Sequence, residues 1–87
     1  MAKRIQVPGT VIVIKWGDAF IETDDFKPEK AGDTEPVWRY STGFLIAKNQ
    51  HGYILATDLY EKKRDGAAAK MFIPHGMVVG VKKLSHV

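Results

Sequence analysis

The sequence predicts an all-β domain, a small five-stranded barrel carrying a long acidic loop between its first two strands. Three observations carry this expectation. Short apolar runs of strand length recur along the chain, separated by turn residues. Two of them, Met71-Phe72-Ile73 and Met77-Val78-Val79, meet at Pro74-His75-Gly76, where a tight turn is the natural link. Nowhere does an apolar period of 3.6 persist long enough for a long helix.

The 87 residues allow one domain, 1–87, with one small core. A chain of this size buries only roughly 60–65% of its unfolded surface. Residues 1–9 read as an arm ending at Pro8-Gly9. The first strand is Thr10-Val11-Ile12-Val13-Ile14-Lys15-Trp16, rich in β-branched residues. It is apolar on both faces, which points to cover from a loop, the arm or another subunit.

Residues 17–36 show no clean period and contain Pro28, Gly32 and Pro36. About 20 residues is long for a loop in a compact domain. Phe20, Ile21 and Phe26 are the side chains expected to pin it to the barrel. The second strand spans 37–49, with Trp38, Tyr40, Thr42, Phe44 and Ile46 on one face. Gly43 marks a bend or bulge within it. Asn49-Gln50-His51-Gly52 is a hairpin turn in which Gly52 is free to take positive φ. Strands at 53–57, 67–73 and 77–84 follow, with a charged loop over 60–66 between the first two of these. Five strands with a bent second strand fit a small SH3-like or Sm-like barrel; a split sandwich is the alternative.

Charge is unevenly placed. Gly17 to Pro36 holds seven acids and two lysines, a balance of −5, and the rest holds eleven basic residues against three acids, a balance of +8. The functional reading is a nucleic-acid-binding body with a segment that shields or mimics phosphate. The plainer one is a solvated acidic loop that keeps a small protein in solution. With no cysteine, the chain has no disulfide framework, no Cys-based zinc site and no thiol chemistry. No run of about 18 apolar residues offers a membrane span. Met1-Ala2-Lys3-Arg4-Ile5 is basic without a long apolar sequel, so no signal peptide is expected.

Nothing in the chain reads as an enzyme. His51, His75 and His86 lack metal-ligand spacing. There is no nucleophile elbow, phosphate-binding Gly-rich loop or dinucleotide turn. No cofactor is expected. Asp24-Asp25 with Glu22 reads as exposed loop rather than a cation site. Lys62, Lys63 and Arg64 form a basic loop tip, and Lys82-Lys83 a second basic pair. Such groups contact phosphates without reading sequence, or are solvated surface. Trp16 and Trp38 read as core or interface anchors before stacking surfaces.

Two stretches resemble a known family. Gly43, Leu45, Asn49 and Tyr53-Ile54-Leu55 resemble the first motif of Sm-like proteins, including the bacterial Hfq group, with Asn49 in place of an acid. Phe72-Ile73-Pro74-His75-Gly76-Met77-Val78-Val79 resembles their second motif, in which two short strands meet at a tight basic turn. His75 falls where Hfq-like proteins carry a histidine, and Pro74 replaces their lysine. The resemblance covers about half the chain. It departs in lacking an opening helix and in its long acidic first loop. The layout is also similar to small bacteriophage proteins, through Trp16-Gly17-Asp18-Ala19, Trp38 and Ile73-Pro74.

The resemblance implies a non-enzymatic protein that forms a homo-oligomeric ring through the edges of strands four and five, around 70–73 and 78–81. It implies single-stranded RNA or nucleotide binding at a rim built from Asn49, Gln50, His51 and His75. Lys62, Lys63 and Arg64 would supply phosphate contacts. Amides can read a base edge and imidazoles can stack, although Asn and Gly are favoured in turns for backbone reasons alone. The other readings are an SH3-like structural or adaptor module, and a nucleotide sponge with pockets between subunits. A cytoplasmic location is expected, that of the host cell if the chain is phage-encoded.

Overall fold

The computed structural model describes residues 4–85, except the side chain of Ser85. His86 lies outside the described residues, as do the first three residues of the expected arm. Five strands form one antiparallel sheet: β1 (Val11–Asp18), β2 (Val37–Lys48), β3 (Gly52–Leu59), β4 (Ala67–Pro74) and β5 (Val78–Ser85). Their order across the sheet is β4-β3-β2-β1-β5. The strands are those expected from sequence, each shifted or extended by a few residues at its ends. The expectation of a closed barrel is not met, because β4 and β5 are the two edges and share no ladder. No helix among the described residues is long and apolar enough to cross a membrane.

β1 is an interior strand, paired on both edges. It meets β2 along its whole length, from Val11 with Phe44 to Asp18 with Val37, and meets β5 on the other side. The ladder with β5 shifts register between Val11 and Ile12 and again between Lys15 and Trp16. β2 changes partner partway. Its first part pairs with β1 up to Phe44, and from Phe44 to Lys48 it pairs with β3. The register shift falls between Leu45 and Ala47, so the bulge sits at Ile46 and not at Gly43. Gly43 serves close approach instead: a Cβ there would lie 2.8 Å from the Ala56 carbonyl oxygen.

The sheet curls around its inner face. Ile12 and Ile14 from β1, Leu55 from β3 and Ile73 from β4 form one buried cluster, although β1 is not a neighbour of β3 or β4. Trp16, Leu45, Tyr53 and Val78 pack against it, half-buried. Trp16 is fixed there by its indole N–H, which donates to Ser41 Oγ at 3.0 Å. The outer face of β1 is covered only in part. Pro8-Gly9 crosses near Phe44 and Leu59, and the Thr10 carbonyl accepts from the Leu45 N–H at 2.8 Å.

Three connections depart from expectation. β1 runs through Gly17 and Asp18, so the link to β2 is 19–36, and it contains a 3-10 helix at Pro28–Asp33 opened by its proline. Phe20, Ile21 and Phe26 do not pin this link; Ile21 is 92% and Phe26 71% exposed. Gly52 is not a positive-φ residue; Gly66, closing the 3-10 turn Lys63–Asp65, is. Gly52 is required because a Cβ would overlap the Ile73 carbonyl of β4.

The molecule is elongated, 56 × 33 × 22 Å, with a radius of gyration of 17.4 Å, where about 12 Å is usual for this length. Its accessible surface is 7427 Å² at 9.7 kDa, where about 5,100 Å² is usual for a folded monomer. Gly52 and Gly80 test the packing. Gly52→Ala is expected to destabilise by more than about 2 kcal/mol, since backbone must move. Gly80→Ala, with open space above it, is expected to be neutral or to stabilise by up to about 1 kcal/mol. Urea midpoints of the two variants check this.

Candidate functional site

Two turns meet at one end of the β3–β4 hairpin. The first, 49–51, is built by Asn49. Its side-chain oxygen accepts from the backbone N–H of His51 at 2.8 Å and of Gly52 at 3.1 Å. Its own N–H donates to the Gly52 carbonyl at 3.0 Å. This is why an amide or an acid suits position 49: a fixed acceptor satisfies two donors that the turn frees.

The second turn is the 3-10 segment His75–Met77 between β4 and β5. It is tied to the first by two bonds. The His75 backbone N–H donates to the His51 carbonyl at 3.0 Å. The His75 Nε2 lies 2.6 Å from the Asn49 carbonyl oxygen. A carbonyl only accepts, so Nε2 carries a proton here, and in the neutral ring Nδ1 is left as an acceptor. Gln50 Nε2 lies 3.3 Å from His51 Nε2. An amide nitrogen only donates, so His51 Nε2 accepts and its Nδ1–H is left as a donor. The two imidazoles therefore offer one donor and one acceptor on the same rim.

The structure brings Asn49, Gln50, His51 and His75 together. It also adds two residues that the sequence reading left out. Tyr53 meets His75 edge-on, with ring centroids 5.2 Å apart and planes at 72°. Lys48 lies directly opposite Tyr53 in the ladder, its Nζ 5.3 Å from the Tyr53 ring. Both flank the Asn49–Gly52 turn, so the last rung of the hairpin was the signal that could have found them.

Lys62, Lys63 and Arg64 lie away from this rim. They sit at the opposite end of the hairpin, beyond Leu59 and before Ala67. Seven residues of extended strand separate the two ends, about 23 Å. Lys63 instead borders a cavity of about 480 Å³ lined also by Pro8, Ile46, Leu59 and Tyr60. Among the described residues no three His, Asp or Glu side chains gather as a metal-binding group. No family model, curated protein or solved structure matches the chain.

The turn geometry makes a direct test of Asn49. Asn49→Ala leaves the buried Gly52 N–H without its acceptor and is expected to cost about 1–3 kcal/mol. Asn49→Asp keeps the acceptor and is expected to retain most of that stability. Thermal unfolding of both variants checks the pair.

Proposed function

We propose that the protein is a non-enzymatic, Sm-like module, an open five-stranded sheet that self-associates through its edges and binds single-stranded RNA at the paired turns. The observation that carries this reading is the join between the 49–51 turn and the His75–Met77 turn, 2.6 Å at the imidazole and 3.0 Å at the backbone. In the family that the sequence resembles, the loop after strand two and the turn between strands four and five form the RNA-binding rim. Here the same two connections share hydrogen bonds.

The chemistry of the rim fits a base edge. A uracil edge presents carbonyl acceptors beside an N–H donor, and the rim offers the His51 and His75 rings with the Gln50 amide next to His51. Lys48 is the nearby cation for phosphate. The basic tip at Lys62, Lys63 and Arg64 serves only a strand long enough to run the length of the hairpin.

Self-association is supported by the two edge strands, β4 and β5, each of which is laddered on one side alone among the described residues. It is supported too by an accessible surface roughly 2,000 Å² above that of a usual monomer. The adaptor reading draws on a separate observation: Ile21 and Phe26 stand exposed on the 19–36 link, where a protein partner would meet them.

Fluorescence anisotropy with labelled oligouridylate, in protein free of nucleic acid, tests the RNA reading. His51→Ala or His75→Ala is expected to weaken binding by about 1–3 kcal/mol with the salt slope unchanged. Replacing Lys62, Lys63 and Arg64 together with alanine is expected to spare a short oligonucleotide. For a long one it should flatten the salt slope by roughly 0.7 per lost contact. Neutralising acids in 19–36 is expected to tighten binding at low salt. No binding at low salt would remove the RNA reading and leave the adaptor reading.

A further inference from the structure

The ribbon of β1 and β2 carries its two tryptophans on opposite faces. Trp16 turns inward to the core and to Ser41. Trp38 lies on the outer face, 44% exposed, with Tyr40 beside it at 72%. The ladder sets the outer face out row by row: Gly17 opposite Trp38, Lys15 opposite Tyr40, Val13 opposite Thr42. On the other side of β1, Lys15 pairs with Gly80 and Val13 with Lys82.

Glycine at two of these positions shapes the surface. The Trp38 ring lies close over Gly17, where a Cβ would be 3.2 Å from the ring. That holds the indole down along the sheet, beside Pro36, with part of its surface exposed. At Gly80 nothing lies within 4 Å of a would-be Cβ. A groove of about 350 Å³ results beside Tyr40, bordered by Val13, Lys15, Gly80, Lys82 and Leu84. Between the two rings sits Lys15, its Nζ 5.6 Å from each centroid. The ribbon's carboxylate, Asp18, alternates to the inner face, where Arg39 holds it at 3.0 Å.

We propose that this outer face is a second site for single-stranded nucleic acid. Two neighbouring bases stack on Trp38 and Tyr40, and Lys15 and Lys82 meet the phosphates. Trp38 and Tyr40 are two residues apart on one strand, about 6.6 Å, so each ring takes its own base. Flat aromatic rings bordered by cations bind single strands with little regard to sequence. The charge on the face favours this ligand over a sugar. Sugar hydroxyls need acceptors as well as donors, and lysines only donate; phosphate oxygens only accept. The chain's net charge of +3, the sum of +8 outside 17–36 and −5 within it, adds attraction at longer range. The inference extends the nucleic-acid reading of the turns but uses none of their residues.

Because the chain has two tryptophans, Trp16→Phe leaves Trp38 as the sole indole reporter. Titration with labelled oligouridylate and oligothymidylate is followed by indole fluorescence and by label anisotropy. The expected result is saturable quenching that tracks the anisotropy. Tyr40→Ala should weaken binding roughly tenfold, and Lys15→Ala with Lys82→Ala should lower the salt slope by about 1.4. In Trp38→Phe, the remaining Trp16 should not be quenched, while the ring still stacks and binding stays within a few fold. Should Trp16→Phe not fold, wild-type protein compared with Trp38→Phe gives the same difference. Anisotropy rising without Trp38 quenching would overturn the outer-face site and leave the turns as the binding surface. No change in either signal at low salt would remove both. Indole fluorescence that follows protein concentration but not oligonucleotide, with a solution mass that falls in Trp38→Ala, would assign the face to a second copy and overturn the proposal.

Discussion

Everything in this molecule depends on how little it buries. Among the described residues five side chains, Ile12, Ile14, Leu55, Ala56 and Ile73, form the buried apolar core. A single sheet has one inner face, and only by curling can it bring β1 against β3 and β4. Close approach is therefore critical where strands change partners, which is why glycine stands at positions 43 and 52. The same economy leaves Met71, Phe72, Val79 and Val81 exposed on the two edge strands. In a chain this small, burial against a partner is the direct route to further stability.

The proposed site inherits its rigidity from that core. Gly52 and Ile73 are both buried, and they lie just inside the two turns. Asn49 fixes one turn from within, and His75 ties the other to it with a side-chain and a backbone bond. The His75 imidazole, held this way, loses little freedom on meeting a ligand. The nearest cation, Lys48, is held over Tyr53 on the same rung. The basic tip of 62–64 lies at the far end of the hairpin.

Strand identity was legible because β-branched and aromatic residues cluster in short runs between turn residues. The contact between the 49–51 turn and the turn at His75 was anticipated through the resemblance, not through any local pattern. What stayed hidden depends on which strand lies beside which. Gly52 looked like a turn glycine, and only the passage of β4 beside it shows that its missing Cβ matters. Gly43 looked like the bulge, but the bulge falls at Ile46, where β2 has passed from β1 to β3. Phe20, Ile21 and Phe26 are apolar enough to pin a loop, yet composition does not say whether a surface lies within reach. Lys62, Lys63 and Arg64 read as a basic loop tip by charge alone, and strand direction puts that tip at the end of the hairpin opposite the rim. Trp16 and Trp38 were indistinguishable until the ladder assigned them to opposite faces.

We propose that one copy of this sheet is incomplete and that its two open edges are covered by further copies. Sedimentation equilibrium across a dilution series from high to low micromolar concentration tests it most directly. The account calls for a mass that is a multiple of 9.7 kDa and resists dilution, with unfolding that shifts to higher temperature as concentration rises. A mass of one chain throughout that range, with cooperative unfolding independent of concentration, would contradict it.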